Sequence, residues 1–160
     1  MRTVNVLFCC MGNICRSPLA HGHFEALVRE RGLADRIRVD SAGTHAYHIG
    51  KAPDPRSQDT ARRHGLDLSA QRARQVNAQD LAKFDYVIAM DEDNLAILHR
   101  HAGNEHRHKV RLFLDYAPKL GVREVPDPYY GGPDGFEHVY RLVDAASHGL
   151  LEDIVRERLS

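Results

Sequence analysis

Three cysteines stand close together near the start of the 160-residue sequence, at Cys9, Cys10 and Cys15, and Arg16 directly follows the last of them. A thiolate is a strong nucleophile, and the planar guanidinium of arginine can hold two oxygens of a phosphate group at once. An odd number of cysteines in so short a segment does not suit the disulfide framework of a small secreted protein. The cluster therefore indicates reactivity towards an anionic group, although buried and inert cysteines would give the same count.

The segment from Cys10 to Arg16 has the features of an anion-binding loop. Gly12 can adopt a positive φ and let successive backbone N–H groups converge. Ser17-Pro18 predicts a helix start, with Ser17 as N-cap and Pro18 at the first helical position. The free N–H groups and the dipole of a helix start attract negative charge. The same positive field favours the thiolate of Cys10, to which the Ser17 hydroxyl could donate.

Strands and helices are predicted to alternate around this loop. The predicted strands are residues 3–9, 37–42, 86–90 and 110–114, which are short and apolar. The first two predicted helices run from Ser17 to Gly32 and, after a cap at Asp54, from Pro55 to about His64. The others are a short helix capped by Asn77, a helix after a cap at Asp91, and a helix over residues 136–157. This alternation predicts a single doubly wound α/β domain over residues 1–160, with a four-stranded parallel sheet and helices on both faces. Ligands in such sheets bind at the carboxyl ends of the strands, where the Cys10 loop would lie.

Composition excludes several classes of function. Lys and Arg number 22, and Asp and Glu also number 22, so the formal charge is zero. A general nucleic-acid binder would need a basic surplus. No apolar run approaches the roughly 20 residues of a membrane span, and no signal region is present. The sequence therefore predicts a cytoplasmic protein that binds neither nucleic acid nor membrane. Because no Cys or His pairs have ligand spacing, neither a metal nor another cofactor is expected.

The first strand and loop read Val6-Leu7-Phe8-Cys9-Cys10-Met11-Gly12-Asn13-Ile14-Cys15-Arg16-Ser17-Pro18. This segment resembles the active-site signature of the low-molecular-weight protein-tyrosine phosphatases. The similarity continues, in the family's order, through Asp40-Ser41-Ala42-Gly43-Thr44, Ala73-Arg74-Gln75, Ala89-Met90-Asp91 and Asp127-Pro128-Tyr129. It therefore covers nearly the whole chain, and the family's four-stranded doubly wound domain agrees with the elements predicted above. The resemblance implies hydrolysis of phosphotyrosine and small aryl phosphates through a phosphocysteine intermediate.

The resemblance also implies a role for each residue of the site. Cys10 would attack phosphorus, Arg16 would hold phosphate oxygens, and Asp127 would protonate the leaving phenolate and then activate water. The phosphate-binding residues would be Met11, Gly12, Asn13, Ile14, Cys15, Arg16 and Ser17. The cleft around the aromatic ring of the substrate would be lined by Tyr47, Tyr129 and Tyr130. Without the resemblance, an Asp between two prolines would be interpreted as a turn residue.

Three positions need separate interpretation. Asp91 suits a helix N-cap, which we favour, or a hydrogen-bond network behind the site. Gln71 stands where the family commonly has a histidine that helps to tether Asn13, and its amide can both donate and accept in that place. Cys9 replaces an apolar residue before the nucleophile, and strand alternation should point it away from the site and into the core.

Other activities of related folds fit these residues less well. Arsenate reduction needs further cysteines downstream, and none follows Cys15. Phosphoarginine hydrolases of this kind look to have Thr at the position of Ile14, so the apolar residue favours an aromatic substrate. A phosphocysteine carrier, as in sugar-transport subunits, would have no use for Asp127 as an acid. A pure phosphotyrosine-binding module would not need the thiol of Cys10.

Cys15 is also a candidate redox partner for Cys10. A thiolate poised for attack on phosphorus also reacts with peroxide, and a nearby thiol can trap the sulfenic acid as a disulfide. The loop must wrap around one phosphate, which brings its two ends together and places the pair within reach of a disulfide. Some members of the resembled family use such a pair for protection. The alternative is that Cys15 only fills space in the loop.

Overall fold

A four-stranded parallel sheet forms the centre of the computed structural model, which describes residues 3–129 and 131–159. The strands are β1 (Val4–Cys10), β2 (Ile37–Gly43), β3 (Tyr86–Ala89) and β4 (Val110–Leu112). The α-helices of the described residues are α1 (Arg16–Glu30), α2 (Pro55–Arg63), α3 (Ala78–Lys83), α4 (Glu92–His106) and α5 (Pro133–Ile154). The strand order is β2-β1-β3-β4, and every neighbouring pair is parallel. The predicted doubly wound α/β class is therefore confirmed.

Side-chain alternation along β1 divides the core into two layers. Phe8 and Cys10 lie in the layer covered by α1 and α5, where the Phe8 ring packs edge-on against Phe24 and Phe113 at centroid distances of 5.5 and 5.1 Å. Cys9 lies in the opposite layer, which α3 and α4 cover. Because adjacent residues of a strand face opposite sides, the two neighbouring thiols are separated by the sheet. The predicted core position of Cys9 is confirmed.

The last strand is shorter than the sequence predicts. It ends at Leu112 instead of residue 114, because Phe113–Tyr116 wind into a 3-10 turn. Both Phe113 and Leu114 are buried in the core layer that contains Phe8. Two successive residues of an extended strand cannot face the same side, so the turn is what lets both side chains reach that layer.

The last helix begins earlier than predicted. α5 starts at Pro133, three residues before Phe136, and a π-helical turn over Val155–Leu159 follows its end. Proline suits the first turn of a helix, where its missing N–H costs no hydrogen bond. Within the described part of the chain, no helix combines the length and the apolar character needed to cross a membrane.

The predicted helix caps are confirmed at three positions. Each cap oxygen accepts a backbone N–H of the first turn: Asp54 from Arg56 at 2.8 Å, Asn77 from Asp80 at 3.1 Å, and Asp91 from Asn94 at 2.8 Å. These bonds satisfy N–H groups that have no partner inside the helix. The caps at Asp54 and Asp91 also hold residues that border the functional site described below.

Gly149 allows α5 to approach the turn after β4. A methyl group at Gly149 would collide with the backbone carbonyl oxygen of Tyr116. We expect Gly149→Ala to lower the free energy of unfolding by about 1–3 kcal/mol, as overpacking does, although alanine is the better helix former. The matched control is Gly135→Ala in the first turn of the same helix, where the new methyl would make only an ordinary 3.6 Å contact with Pro128. Urea unfolding that shows equal or higher stability for Gly149→Ala would contradict the close packing.

Candidate active site

A cleft of about 290 Å³ opens at the carboxyl edge of the sheet. Its lining consists of Cys10, Met11, Gly12, Ile14, Cys15, Arg16, Tyr47, His48, Asp127 and Tyr129. Cys10 is the last residue of β1 and pairs with Gly43 at the end of β2, which places the loop after β1 at this edge. A larger hollow of about 810 Å³ lies beside the amino ends of β1 and β2, but its lining contains no cysteine or histidine. The chemistry therefore points to the smaller cleft.

The structure brings together most of the residues that the sequence predicts for the site. Asn13 and Ser17 do not line the cleft but lie behind it, both buried. Tyr130 lies outside the described residues. His48 was missed by the sequence analysis, and its only signal there is its position next to Tyr47.

The loop between β1 and α1 turns its carbonyl groups outwards. On the side of β2, the Thr44 N–H donates to the Cys10 carbonyl at 2.8 Å and the His45 N–H donates to the Met11 carbonyl at 3.0 Å. On the side of α2, the Asp54 N–H donates to the Ile14 carbonyl at 2.8 Å and the Ser57 hydroxyl donates to the Cys15 carbonyl at 2.9 Å. The N–H groups of residues 11–15 donate to no backbone carbonyl in the described part of the chain. Unpaired N–H groups that converge at the start of a helix form an anion-binding site.

The close approach of β2 to the loop depends on Gly43. A Cβ atom there would lie 2.8 Å from the carbonyl oxygen of Met11. Asn13 is the one non-glycine residue with a positive φ (59°) among the described residues. Asparagine tolerates this left-handed conformation better than most residues. Both residues thus fit the tight curvature of the loop.

A directed chain of hydrogen bonds ends on the sulfur of Cys10. The Arg74 backbone N–H donates to Asn13 Oδ1 at 3.1 Å, which fixes the orientation of the amide. Asn13 Nδ2 therefore donates to Ser17 Oγ at 2.8 Å. Ser17 Oγ lies 3.0 Å from Cys10 Sγ, so its own proton is left to donate to the sulfur. This polarity stabilises a thiolate at Cys10.

One expectation about this chain of hydrogen bonds is wrong. Ser17 does not cap α1: the helix begins at Arg16, and its N-cap residue Cys15 makes no side-chain cap bond. The Ser17 hydroxyl is instead occupied by Asn13 and Cys10. The tether of Asn13 that Gln71 could have supplied is made by another residue.

Gln71 turns its amide towards the backbone of α1. Its Nε2 donates to the carbonyl of Pro18 at 3.1 Å, and its buried Oε1 has no hydrogen-bond partner. The Asn13 tether comes from the backbone of Arg74 instead. The family's histidine position is therefore occupied here by a residue that supports the helix after the loop.

Arg16 is held in place by groups on the other side of the cleft. Its side chain is only 3% exposed, and Nη1 donates to Asp91 Oδ2 at 2.6 Å and to the Val125 carbonyl at 3.0 Å. Nη2 lies 3.8 Å from Asp127 Oδ2. Burial opposes the charge of Arg16, but Cys10 and Asp91 outweigh it and raise the pKa of the guanidinium above its ordinary value. The guanidinium therefore stays charged and fixed beside the thiol.

Asp91 fulfils both of the roles considered for it. Its Oδ1 accepts the Asn94 N–H as a helix cap, and its Oδ2 binds Arg16. The cap fixes the carboxylate at the end of β3, so the same side chain orients the guanidinium.

Asp127 and two tyrosines form the outer part of the cleft. Asp127 is 36% exposed, and its Oδ1 accepts the Tyr129 N–H at 3.0 Å, so the turn interpretation of this residue also holds. Tyr47 is 68% exposed and stacks on His45 at 5.1 Å with an interplanar angle of 13°. The Arg56 guanidinium lies 5.3 Å from the centre of the Tyr129 ring. The two rings flank the opening above Cys10.

The remaining two thiols are held in their protonated form. Burial, and then the nearby carboxylate of Asp54, raise the pKa of the Cys15 thiol far above its usual range. Burial likewise raises the pKa of Cys9. Both therefore remain protonated at neutral pH, which leaves Cys10 as the candidate nucleophile. Among residues 3–129 and 131–159, no group of three or more His, Cys, Asp or Glu side chains is arranged to hold a metal ion.

Comparison with known proteins gives one consistent result. A family model described as low molecular weight phosphotyrosine protein phosphatase matches residues 5–160. A low molecular weight protein-tyrosine-phosphatase of Streptomyces coelicolor is 44% identical over 98% of this chain and 96% of its own length. The human low molecular weight phosphotyrosine protein phosphatase is 41% identical over 94% of this chain and 95% of its own. The crystal structure of YfkJ from Bacillus subtilis matches with a TM-score of 0.94 and 41% identity, covering 99% of this chain and 98% of that one.

Two substitutions separate the roles of Asp91. Asp91→Asn keeps a capping oxygen but loses the charge that binds Arg16, whereas Asp91→Ala loses both. Losing a hydrogen bond to a charged group costs about 1.5–3 kcal/mol, so both variants should unfold at lower urea concentration. The alanine variant should lose about 1 kcal/mol more, because its helix cap is gone. Both should hydrolyse aryl phosphates more slowly, and an Asp91→Asn variant with parental stability and rate would contradict the role of this ion pair.

Proposed function

The chain belongs to the low molecular weight phosphotyrosine protein phosphatase family, and from that premise we propose which of its residues carry out the hydrolysis of phosphotyrosine. The enzyme is a cysteine-dependent phosphoric monoester hydrolase. The observation that carries the assignment is the hydrogen-bond chain that runs through Asn13 and Ser17 and ends on Cys10. A thiol supported in this way beside a fixed arginine is suited to attack on phosphorus.

The phosphate group binds in the loop after β1. Its oxygens accept hydrogen bonds from the N–H groups of residues 11–15 and from the guanidinium of Arg16. These donors are fixed before the substrate arrives, because the loop carbonyls and Asp91 hold them in place. Donors that are already oriented stabilise the charge of the transferring phosphoryl group without reorganisation. Tyr47 and Tyr129 contact the aromatic ring of the substrate.

The reaction proceeds in two steps. In the first, the Cys10 thiolate forms a P–S bond while the P–O bond to the phenol breaks, and Asp127 in its acid form gives its proton to the leaving oxygen. In the second, the Asp127 carboxylate takes a proton from water, the water oxygen bonds to phosphorus, and the P–S bond breaks. The Ser17 hydroxyl stabilises the departing thiolate. The partial exposure of Asp127 gives water access to this step.

The residues of the cleft favour phosphotyrosine hydrolysis over phosphocysteine transfer and phosphoarginine hydrolysis. A phosphocysteine carrier would be harmed by an acid such as Asp127 that completes turnover. Ile14 lines the cleft and offers an apolar contact, which suits an aromatic ring better than a phosphoarginine side chain. The substrates that we propose are phosphotyrosine-containing proteins of the cytoplasm, which is consistent with three free cysteines and a balanced charge.

The role of Asp127 predicts a dependence on the leaving group. Asp127→Ala should slow the hydrolysis of phosphotyrosine by about 10²–10⁴-fold, the usual contribution of a general acid. A phosphate ester of an acidic phenol, such as p-nitrophenyl phosphate, should lose less in the first step, because its leaving group needs no proton. Rapid-quench measurement of phenol release checks this, with Cys10→Ser as the blank that binds phosphate but does not turn over. Equal losses for both esters would show that Asp127 is not the donor.

We further propose that Cys15 protects Cys10 from irreversible oxidation. Peroxide would oxidise the Cys10 thiolate to a sulfenic acid and be reduced to water. The Cys15 sulfur would then attack that sulfur, and a disulfide would form as the sulfenic oxygen leaves as water. Both residues line the same cleft, and Cys9 lies beyond the sheet. Because Cys15 is protonated, Cys10 is the first of the two to react with peroxide.

The variants Cys15→Ser and Cys9→Ala test this protection as a matched pair. After a fixed dose of peroxide, a thiol reductant should restore the activity of the parent and of Cys9→Ala. Cys15→Ser should stay inactive, because its sulfenic acid has no partner and oxidises further. Peptide mass mapping should find Cys10 joined to Cys15. Full recovery of Cys15→Ser, or a bond from Cys10 to Cys9, would contradict the proposal.

A further inference from the structure

His48 lines the cleft but takes no part in the chemistry proposed above. Its ring packs on the phosphate loop: Cδ2 lies 2.8 Å from the point that a Cβ atom on Gly12 would occupy. On its other side, the ring is tilted by 33° towards Tyr129, with 6.4 Å between the centroids. Neither ring nitrogen has a hydrogen-bond partner among the described residues. The rim of the cleft therefore carries a fixed imidazole whose polar atoms are still available.

The wall that contains His48 is formed by a segment with more basic than acidic residues. Residues 45–56 include His45, His48, Lys51 and Arg56, and their one carboxylate is Asp54. Asp54 is only 8% exposed and accepts two hydrogen bonds from the Arg56 guanidinium, at 3.0 and 2.9 Å. Burial would raise the pKa of Asp54, but the bonds from Arg56 outweigh it and hold that pKa below its ordinary value. The charge of the nearby His48 also lowers this pKa, but the hydrogen bonds to the ionised carboxylate come from Arg56.

The other carboxylate of the cleft is engaged as well. Asp127 accepts the Tyr129 N–H and faces Arg16. Among the residues that the structure describes, no carboxylate forms a hydrogen bond or a salt bridge with His48 or Lys51. Asp54 is close enough to interact with His48, but its oxygens are bound by Arg56. A wall whose donors are not hydrogen-bonded to a carboxylate of the protein can bind a carboxylate from outside.

We propose that His48 determines specificity by donating a hydrogen bond to an Asp or Glu side chain directly next to the phosphotyrosine. This inference rests on the proposed function of the site. A cleft of about 290 Å³ accommodates the phosphotyrosine side chain, so the adjacent residues of the peptide must pass over its rim. His48 stands at that rim beside the exposed Tyr47, and Lys51 follows it by three residues in the sequence.

Matched phosphotyrosine peptides that differ only in one flanking residue test this assignment. Glu, Gln and Lys are placed in turn on the amino side and on the carboxyl side of the phosphotyrosine, and kcat/KM is measured for each peptide. On at least one side, the parent enzyme should prefer Glu over Gln by about two- to five-fold, as expected for a partly exposed ion pair. The difference between the Glu and Gln peptides should lie in KM, and it should become smaller as salt is added.

Variants of His48 then show whether this residue carries the preference. His48→Gln should bring the Glu-to-Gln ratio close to one, and His48→Glu should reverse the order so that the Lys peptide is the best substrate. His101→Gln, an exposed histidine on α4 far along the chain, should keep the parental ratios. Equal rates for Glu and Gln peptides in the parent, or an unchanged ratio in His48→Gln, would overturn the inference while leaving the phosphatase activity established. No turnover of any peptide would overturn the proposed function and this inference together.

Discussion

The orientation of one amide, that of Asn13, determines the chemistry of the rest of the site. A backbone N–H can only donate, so the bond from Arg74 obliges the amide oxygen of Asn13 to face that residue. The amide nitrogen must then donate to Ser17, and the Ser17 proton is left for the sulfur of Cys10. If the amide were reversed, the serine would have to donate to Asn13, and the thiolate would lose its hydrogen bond. The strained φ of Asn13 is tolerated because its side chain is fixed at both ends.

The phosphate loop is shaped by contacts that lie outside it. β2 approaches through Gly43, and the segments around Asp54 and Ser57 bind the loop carbonyls from the side of α2. The carbonyls are thereby drawn outwards, and the N–H groups are left facing the cleft. The Arg56 guanidinium connects the same segment to the rings of Tyr129 and Phe136, at 5.3 and 4.9 Å. These contacts connect the phosphate loop, residues 45–56 and the turn at Asp127, so that each supports the others.

Features that depend on neighbouring residues could be predicted from the sequence. The strands, the caps at Asp54, Asn77 and Asp91, and the pairing of Cys10 with Arg16 arise from local preferences and spacing. Ser17 was misplaced because its local preference for a cap position gives way to two side-chain partners that the fold brings to it. The end of β4 was misplaced for a similar reason, since the burial of Phe113 and Leu114 on one side overrides the β-like pattern. The contacts of Gln71 and His48 could not be predicted, because they connect positions far apart in the chain.

The separation of the three sulfur atoms has a practical consequence for chemical labelling. Raised pKa values keep Cys9 and Cys15 protonated, whereas the sulfur of Cys10 lies at the cleft beside the Ser17 hydroxyl and Arg16. A small alkylating reagent at neutral pH should therefore modify one sulfur in each folded molecule, and three in each unfolded one. The number of sulfur atoms labelled in the folded protein, divided by one third of the number labelled after unfolding, gives the fraction of molecules with a competent site. An oxyanion that occupies the cleft should prevent labelling of the folded protein only. The two buried, protonated cysteines thus serve as an internal standard for counting active sites.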